Sequence, residues 1–89
     1  MDELKALYRT TSDHFRFVNP DVNHYRDGAK LPPPARLDIS QYPGHSNVYV
    51  LRYDSDGNEL TDTWHDDVQS AMEQCAFEFG VEAWDWEEV

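Results

Sequence analysis

The sequence predicts an α+β domain of two layers, an antiparallel sheet with one helix packed on it. Three observations carry that prediction. NVYVLRY at 47–53 and ELTDTWH at 59–65 are strand-like runs, and the DSDGN between them has hairpin turn chemistry. Val68, Ala71, Met72, Cys75, Ala76 and Phe79 recur at i, i+3, i+4, i+7, i+8 and i+11, the spacing of one helical face. VEAWDWEEV at 81–89 then returns to alternation in steps of two. A β-hairpin over 47–65, a helix over 67–79 and a strand over 81–89 stack naturally as a sheet with a helix on one side.

From the N-terminus, DELKALY at 2–8 places Leu4, Leu7 and Tyr8 on one helical face with Asp2 as N-cap, which predicts a short helix. HFRFV at 14–18 suits a strand. One of these N-terminal pieces is expected to join the sheet or cover an edge. Asn19-Pro20-Asp21 reads as a turn. Residues 27–47 contain Gly28, Pro32, Pro33, Pro34, Pro43 and Gly44, and read as a Pro/Gly-rich loop with polyproline character. So long a loop in a small domain points to function or mobility.

In the first hairpin strand, Val48 and Val50 face one side, with Tyr49, Leu51 and Tyr53 on the other. That nearly continuous apolar run predicts an interior place in the sheet. In the second strand Leu60, Asp62 and Trp64 oppose Thr61 and Thr63. Asp66 or Asp67 can cap the helix, and Gly80 stands where a left-handed residue ends one. In 81–89, Trp84 and Trp86 are expected on one side and Val81, Ala83 and Val89 on the other. Eighty-nine residues make one domain, 1–89, with one modest core.

The net charge of −11 is unevenly placed. Residues 1–53 hold six acids against all seven Lys and Arg, a balance of +1, while 54–89 hold twelve acids and no Lys or Arg, a balance of −12. Such a field repels nucleic acid and anionic membranes and attracts cationic partners. No apolar run is long enough to span a bilayer, and the N-terminus lacks a signal-peptide pattern. Cys75 is the single cysteine, so no intrachain disulfide forms. A cytoplasmic protein of a small bacterial kind is expected.

The densest acidic stretch, YDSDGNELTDTWHDD at 53–67, invites a metal reading. Aligning Gly57 with the glycine of a calcium-binding loop puts Arg52 and Thr63 where oxygen ligands belong, and strands rather than helices flank it. A hairpin turn accounts for the same residues. His65 lies near Asp62, Asp66 and Asp67 and is the one acid–base group among the acids, but no second histidine stands close. Cys75 falls on the apolar stripe, the place of a small core residue. No nucleophile elbow or phosphate-binding glycine loop is present. Neither a cofactor nor a metal is expected. HFR at 14–16 and HYR at 24–26 repeat a His-aromatic-Arg pattern. It could stack on bases, but with only +1 over that half ordinary packing and surface pairing is expected, with pairing to acids of the C-terminal half as the alternative.

Twelve acids over 54–89 without a cation carry a stability cost that a basic partner surface would offset. The expected function is therefore a non-enzymatic protein-binding module, of the immunity or inhibitor type that neutralises a basic protein. Phe77, about 160–180° round the helix from the stripe, is expected as an aromatic anchor beside Glu73 and Glu78. Asp62, Asp66 and Asp67 complete the expected contacts. The alternatives are a self-associating structural protein, such as a homodimer, and a small metal- or His-dependent enzyme.

Overall fold

The computed structural model describes residues 3–89. Its strands are β1 (Lys5–Thr11), β2 (Tyr25–Arg26), β3 (Ala29–Lys30), β4 (Arg36–Gln41), β5 (Val48–Tyr53), β6 (Glu59–His65) and β7 (Glu87–Glu88), with helix α1 (Val68–Phe79) between β6 and β7. Single 3₁₀ turns occupy Ser12–His14 and Ala83–Asp85. Five strands form one antiparallel sheet in the order β6-β5-β4-β1-β7, and β2 and β3 form a separate small hairpin. The two-layer α+β fold is thus present, with α1 on one face.

The hairpin β5–β6 forms as its sequence predicts. Asp54 organises the turn, its Oδ1 accepting the backbone N–H groups of Asp56 at 3.0 Å and Asn58 at 2.9 Å, and Gly57 takes φ 85°. Asp54 thus serves the backbone of the turn. Helix α1 begins at a reciprocal cap: Asp67 Oδ1 accepts the Ser70 N–H at 2.8 Å, and Ser70 Oγ receives the Asp67 N–H at 3.3 Å. It ends at Gly80, left-handed at φ 67°. Ala71, Cys75 and Phe79 of α1 meet Leu37, Ile39, Val48, Val50, Val81 and Trp86 to form the core. Phe15 stacks on Phe79 with ring centroids 4.6 Å apart.

Four sequence expectations are corrected. The N-terminal helix is a strand: β1 pairs with β4 through Thr11↔Arg36 and onward, with a bulge near Leu7 that breaks simple alternation. Asp2, its expected cap, lies outside the described residues. HFRFV is no strand either; Ser12–His14 turn, and Arg16 and Phe17 run past the helix end with both N–H groups on the Phe79 carbonyl.

The expected 27–47 loop contains β4, the central strand. Leu37 and Ile39 are fully buried against α1, and Asp38 and Ser40 are buried on the opposite face. The prolines flank this strand rather than interrupt it, so no ladder hydrogen bond is lost.

The expected strand over 81–89 is mostly a turn. Asp85 Oδ2 accepts the Glu82 N–H at 2.8 Å, closing the 3₁₀ turn, and only Glu87–Glu88 pairs, with β1. Trp84 and Trp86 consequently part company: Trp84 is 76% exposed and Trp86 only 9%.

Candidate functional site

The charged side chains divide into two populations. Asp38, Glu78 and Asp85 are buried, and each holds at least one arginine. Asp38 receives Arg9 through two hydrogen bonds at 2.8 and 3.0 Å, with Arg36 Nε 3.4 Å away at ion-pair distance. Arg36 also lies 4.1 Å over the Tyr53 ring. Asp85 receives Arg16 at 2.7 Å, with His14 at 3.6 Å. The Arg16 hydrogen bond, followed by the Glu82 N–H, holds the Asp85 carboxyl below its usual range.

Glu78 sits at the centre of the largest network. Its Oε2 accepts from Arg52 at 2.5 Å and Gln74 at 2.7 Å, and its Oε1 from His24 Nε2 at 2.9 Å. Burial pushes its pKa up, but the bonds and charge of Arg52, with Gln74 and His24, outweigh it and the net direction is down. Because the carboxylate only accepts, His24 donates from Nε2. Arg52 Nη1 also donates to Thr63 Oγ1 at 3.2 Å, and Thr63 Oγ1 lies 2.7 Å from His65 Nε2. Thr63 Oγ1 thus links Arg52 to His65. Burial first, then the Arg52 charge, lowers the His65 pKa. His65 therefore bonds a threonine, and among the described residues no carboxylate pairs with it.

The second population is the external acids. Of the twelve acids in 54–89, the ion pairs among the described residues engage only Glu78 and Asp85. The other ten, from Asp54 to Glu88, have no cationic partner there. The His-aromatic-Arg repeats supply the internal clamps: His14 and Arg16 hold Asp85, while His24 holds Glu78 and Arg26 donates to the Glu59 and Leu60 carbonyls.

The predicted contact residues scatter across this surface. Phe77 is 56% exposed and points away from the sheet, as expected, with Glu73 one turn before it on the same exposed stripe. Asn19 Nδ2 reaches the Phe77 carbonyl at 3.1 Å without covering the ring. Asp66 and Asp67 are exposed at the start of α1, and Asp67 is committed to the cap, its pKa lowered by the Ser70 N–H and then the Ser70 hydroxyl. Asp62 is exposed on the sheet face turned away from α1, opposite Leu51. Glu78, expected as a contact, is 2% exposed and is an internal anchor instead. Its seven-residue spacing from Ala71 places it on the buried stripe, a signal already present in the periodicity.

Two open hollows join beside α1. One, about 490 Å³, is floored by Tyr8, Val68, Met72, Ala76 and Val81 and edged by Glu73 and Glu82. The other, about 310 Å³, shares Tyr8 and Val68 and continues toward Leu7, Glu88 and Val89, with Lys5 at its end. Sequence reasoning missed this groove because β1 and the 81–85 turn were both misassigned.

A separate cleft of about 270 Å³ lies under Pro32, Pro33 and Pro34, with His24 and Glu78 among its lining residues. Both Glu78 oxygens are already bonded there. Burial pushes the Cys75 thiol up to about 12, which makes it an inert core group. Among the described residues, no three His, Cys, Asp or Glu side chains gather as a metal site requires. No described helix is long and apolar enough to cross a membrane. Comparison with known protein families, with characterised proteins and with solved structures finds no match to this chain.

Proposed function

We propose that this chain is a non-enzymatic, cytoplasmic protein-binding module that presents an acidic surface to a basic protein, in the manner of an immunity or inhibitor protein. The observation that carries the reading is the division of charge. Four of the five arginines are spent on buried acids, and among the described residues ten acids of 54–89 have no cationic partner. Like charge that is not neutralised internally raises the energy of the folded state, and a cationic surface relieves it. Exposed Phe77 beside Glu73 supplies an apolar contact within that field.

The test is competitive capture. The wild-type chain and an Asp62→Lys/Asp66→Lys chain are immobilised separately and exposed to lysate of the source organism at low salt. One basic protein, retained near stoichiometry by the wild type and lost from the reversed chain, supports the reading. Equal retention of many basic proteins by both surfaces refutes it.

Self-association is the second reading, favoured by one observation. Trp64, 56% exposed, stands in register opposite Tyr49 on the sheet face turned away from α1. Sedimentation of the free chain decides it: a concentration-dependent dimer lost in Trp64→Ala supports this alternative, and a monomer at all concentrations removes it.

A further inference from the structure

A five-stranded sheet is about 19 Å across from first strand to last, and one helix covers about 10 Å of it. Helix α1 packs over β5 and β6. The 81–86 segment covers part of the remaining breadth, through Val81, Trp86 and the Thr10 hydroxyl on the Asp85 carbonyl. What stays open is the groove between α1 and β1, where Val68, Met72 and Ala76 are only half-buried although they belong to the apolar stripe.

We propose that this groove receives a short cationic amphipathic helix of the basic partner, which docks beside α1 as the second helix of its layer. The proposal rests on the basic-partner reading above and gives it a location. Two features select the occupant. The groove has an apolar floor, with Glu73 and Glu82 lining one hollow and Glu88 beside a single cation, Lys5, lining the other; this net acidic lining matches an apolar stripe flanked by Lys or Arg. A segment lying over the sheet face also finds no free ladder to join, since β7 already pairs with Tyr8 and Arg9 of β1. Its backbone must satisfy its own N–H and C=O groups, which a helix does. From Val68 to Ala76 the floor runs about 12 Å along α1, enough for two turns.

The probe is a Lys/Leu peptide of about three turns with Leu at i, i+3, i+4 and i+7, against a scrambled peptide of the same composition. Each is titrated into ¹⁵N-labelled full-length chain at low salt. The expected result is saturable shifts at Val68, Met72, Ala76 and Val81, with the scrambled peptide at least about tenfold weaker. Ala76→Trp, which fills the groove, is expected to weaken the helical peptide by about tenfold or more. Should that variant melt early, Glu73→Lys/Glu82→Lys takes its place and is expected to reduce both affinity and salt dependence. Equal binding of the two peptides, shifts centred on Asp56 and Asp62, or no effect of either variant overturns the groove while leaving the basic-partner reading standing. No binding of either peptide overturns the groove as well; the basic-partner reading then depends on the capture experiment alone.

Discussion

The Arg52 guanidinium lies 2.5 Å from the Glu78 carboxylate, and the two residues are 1% and 2% exposed. Each sits on the apolar face of its own element, Arg52 in step with Val48 and Val50, Glu78 one heptad after Ala71. Desolvating two charges is expensive, so removing one partner costs more than removing both. Arg52→Met is expected to destabilise by about 3–5 kcal/mol, and Arg52→Met/Glu78→Leu to recover most of it. Urea denaturation of the wild type, both single variants and the double variant measures the coupling.

The pH dependence follows from three groups. Glu78 and Asp85 have folded-state pKa values below their unfolded ones. Their stabilisation is complete above the ordinary carboxylate range and is lost as pH falls through the folded values. His65 is also lowered, so below about pH 6.5 the unfolded chain takes up a proton that the folded one resists. Stability therefore begins to fall below the ordinary histidine range. Thermal melts at descending pH are expected to show this early loss, its disappearance in His65→Gln, and a shallower acid limb in Glu78→Gln.

Gly80 is held by more than its dihedral. It takes φ 67°, and a Cβ there would stand 2.7 Å from Phe17 Cε2 and 3.0 Å from the Arg16 Cβ. Gly80→Ala is expected to cost more than about 1 kcal/mol, since strain and clash add to the lost helix end. Ala at Gly57, also left-handed but with nothing within 4 Å, isolates the backbone part. Chemical denaturation of both variants separates the two contributions.

The external acids predict an unusual response to surface mutation. Glu73→Lys is expected to stabilise the isolated chain by up to about 1 kcal/mol at low salt, because it reduces repulsion. The gain is expected to shrink as salt shortens the screening length. Phe77→Ala, by contrast, is expected to change stability by no more than about 0.5 kcal/mol while weakening a partner complex. A marked loss of stability with complex formation unchanged contradicts Phe77 as an anchor.

Where the sequence was legible, the local and tertiary signals agreed. The β5–β6 hairpin had both alternation and a turn, and α1 had a stripe, a cap and Gly80. Where it misled, one signal was taken without its counterweight. Leu37 and Ile39 alternate with Arg36, Asp38 and Ser40 as a strand should, but Pro32, Pro33, Pro34 and Pro43 flank them with a strong loop signal. Asp38 is buried because Arg9 from β1 and Arg36 from β4 itself reach it, and the Arg9 contact joins distant positions that no window reveals. Trp84 and Trp86 looked like one strand face, yet Trp84 lies within the 3₁₀ turn and Trp86 follows it in extended backbone, so strand alternation does not relate them. Of the site, Phe77 and Glu73 could be read from helical angle, whereas the groove needed β1, α1 and the 81–85 turn placed together.

The central claim is that the ten external acids serve a basic partner, and the salt dependence of the captured complex tests it most directly. Titration calorimetry would follow Kd from about 50 to 500 mM salt for the wild type and for Asp62→Lys/Asp66→Lys. A Kd that weakens steeply with salt in the wild type, and starts weaker with a shallower slope in the reversed chain, is the predicted result. A Kd indifferent to both salt and charge reversal would contradict the account.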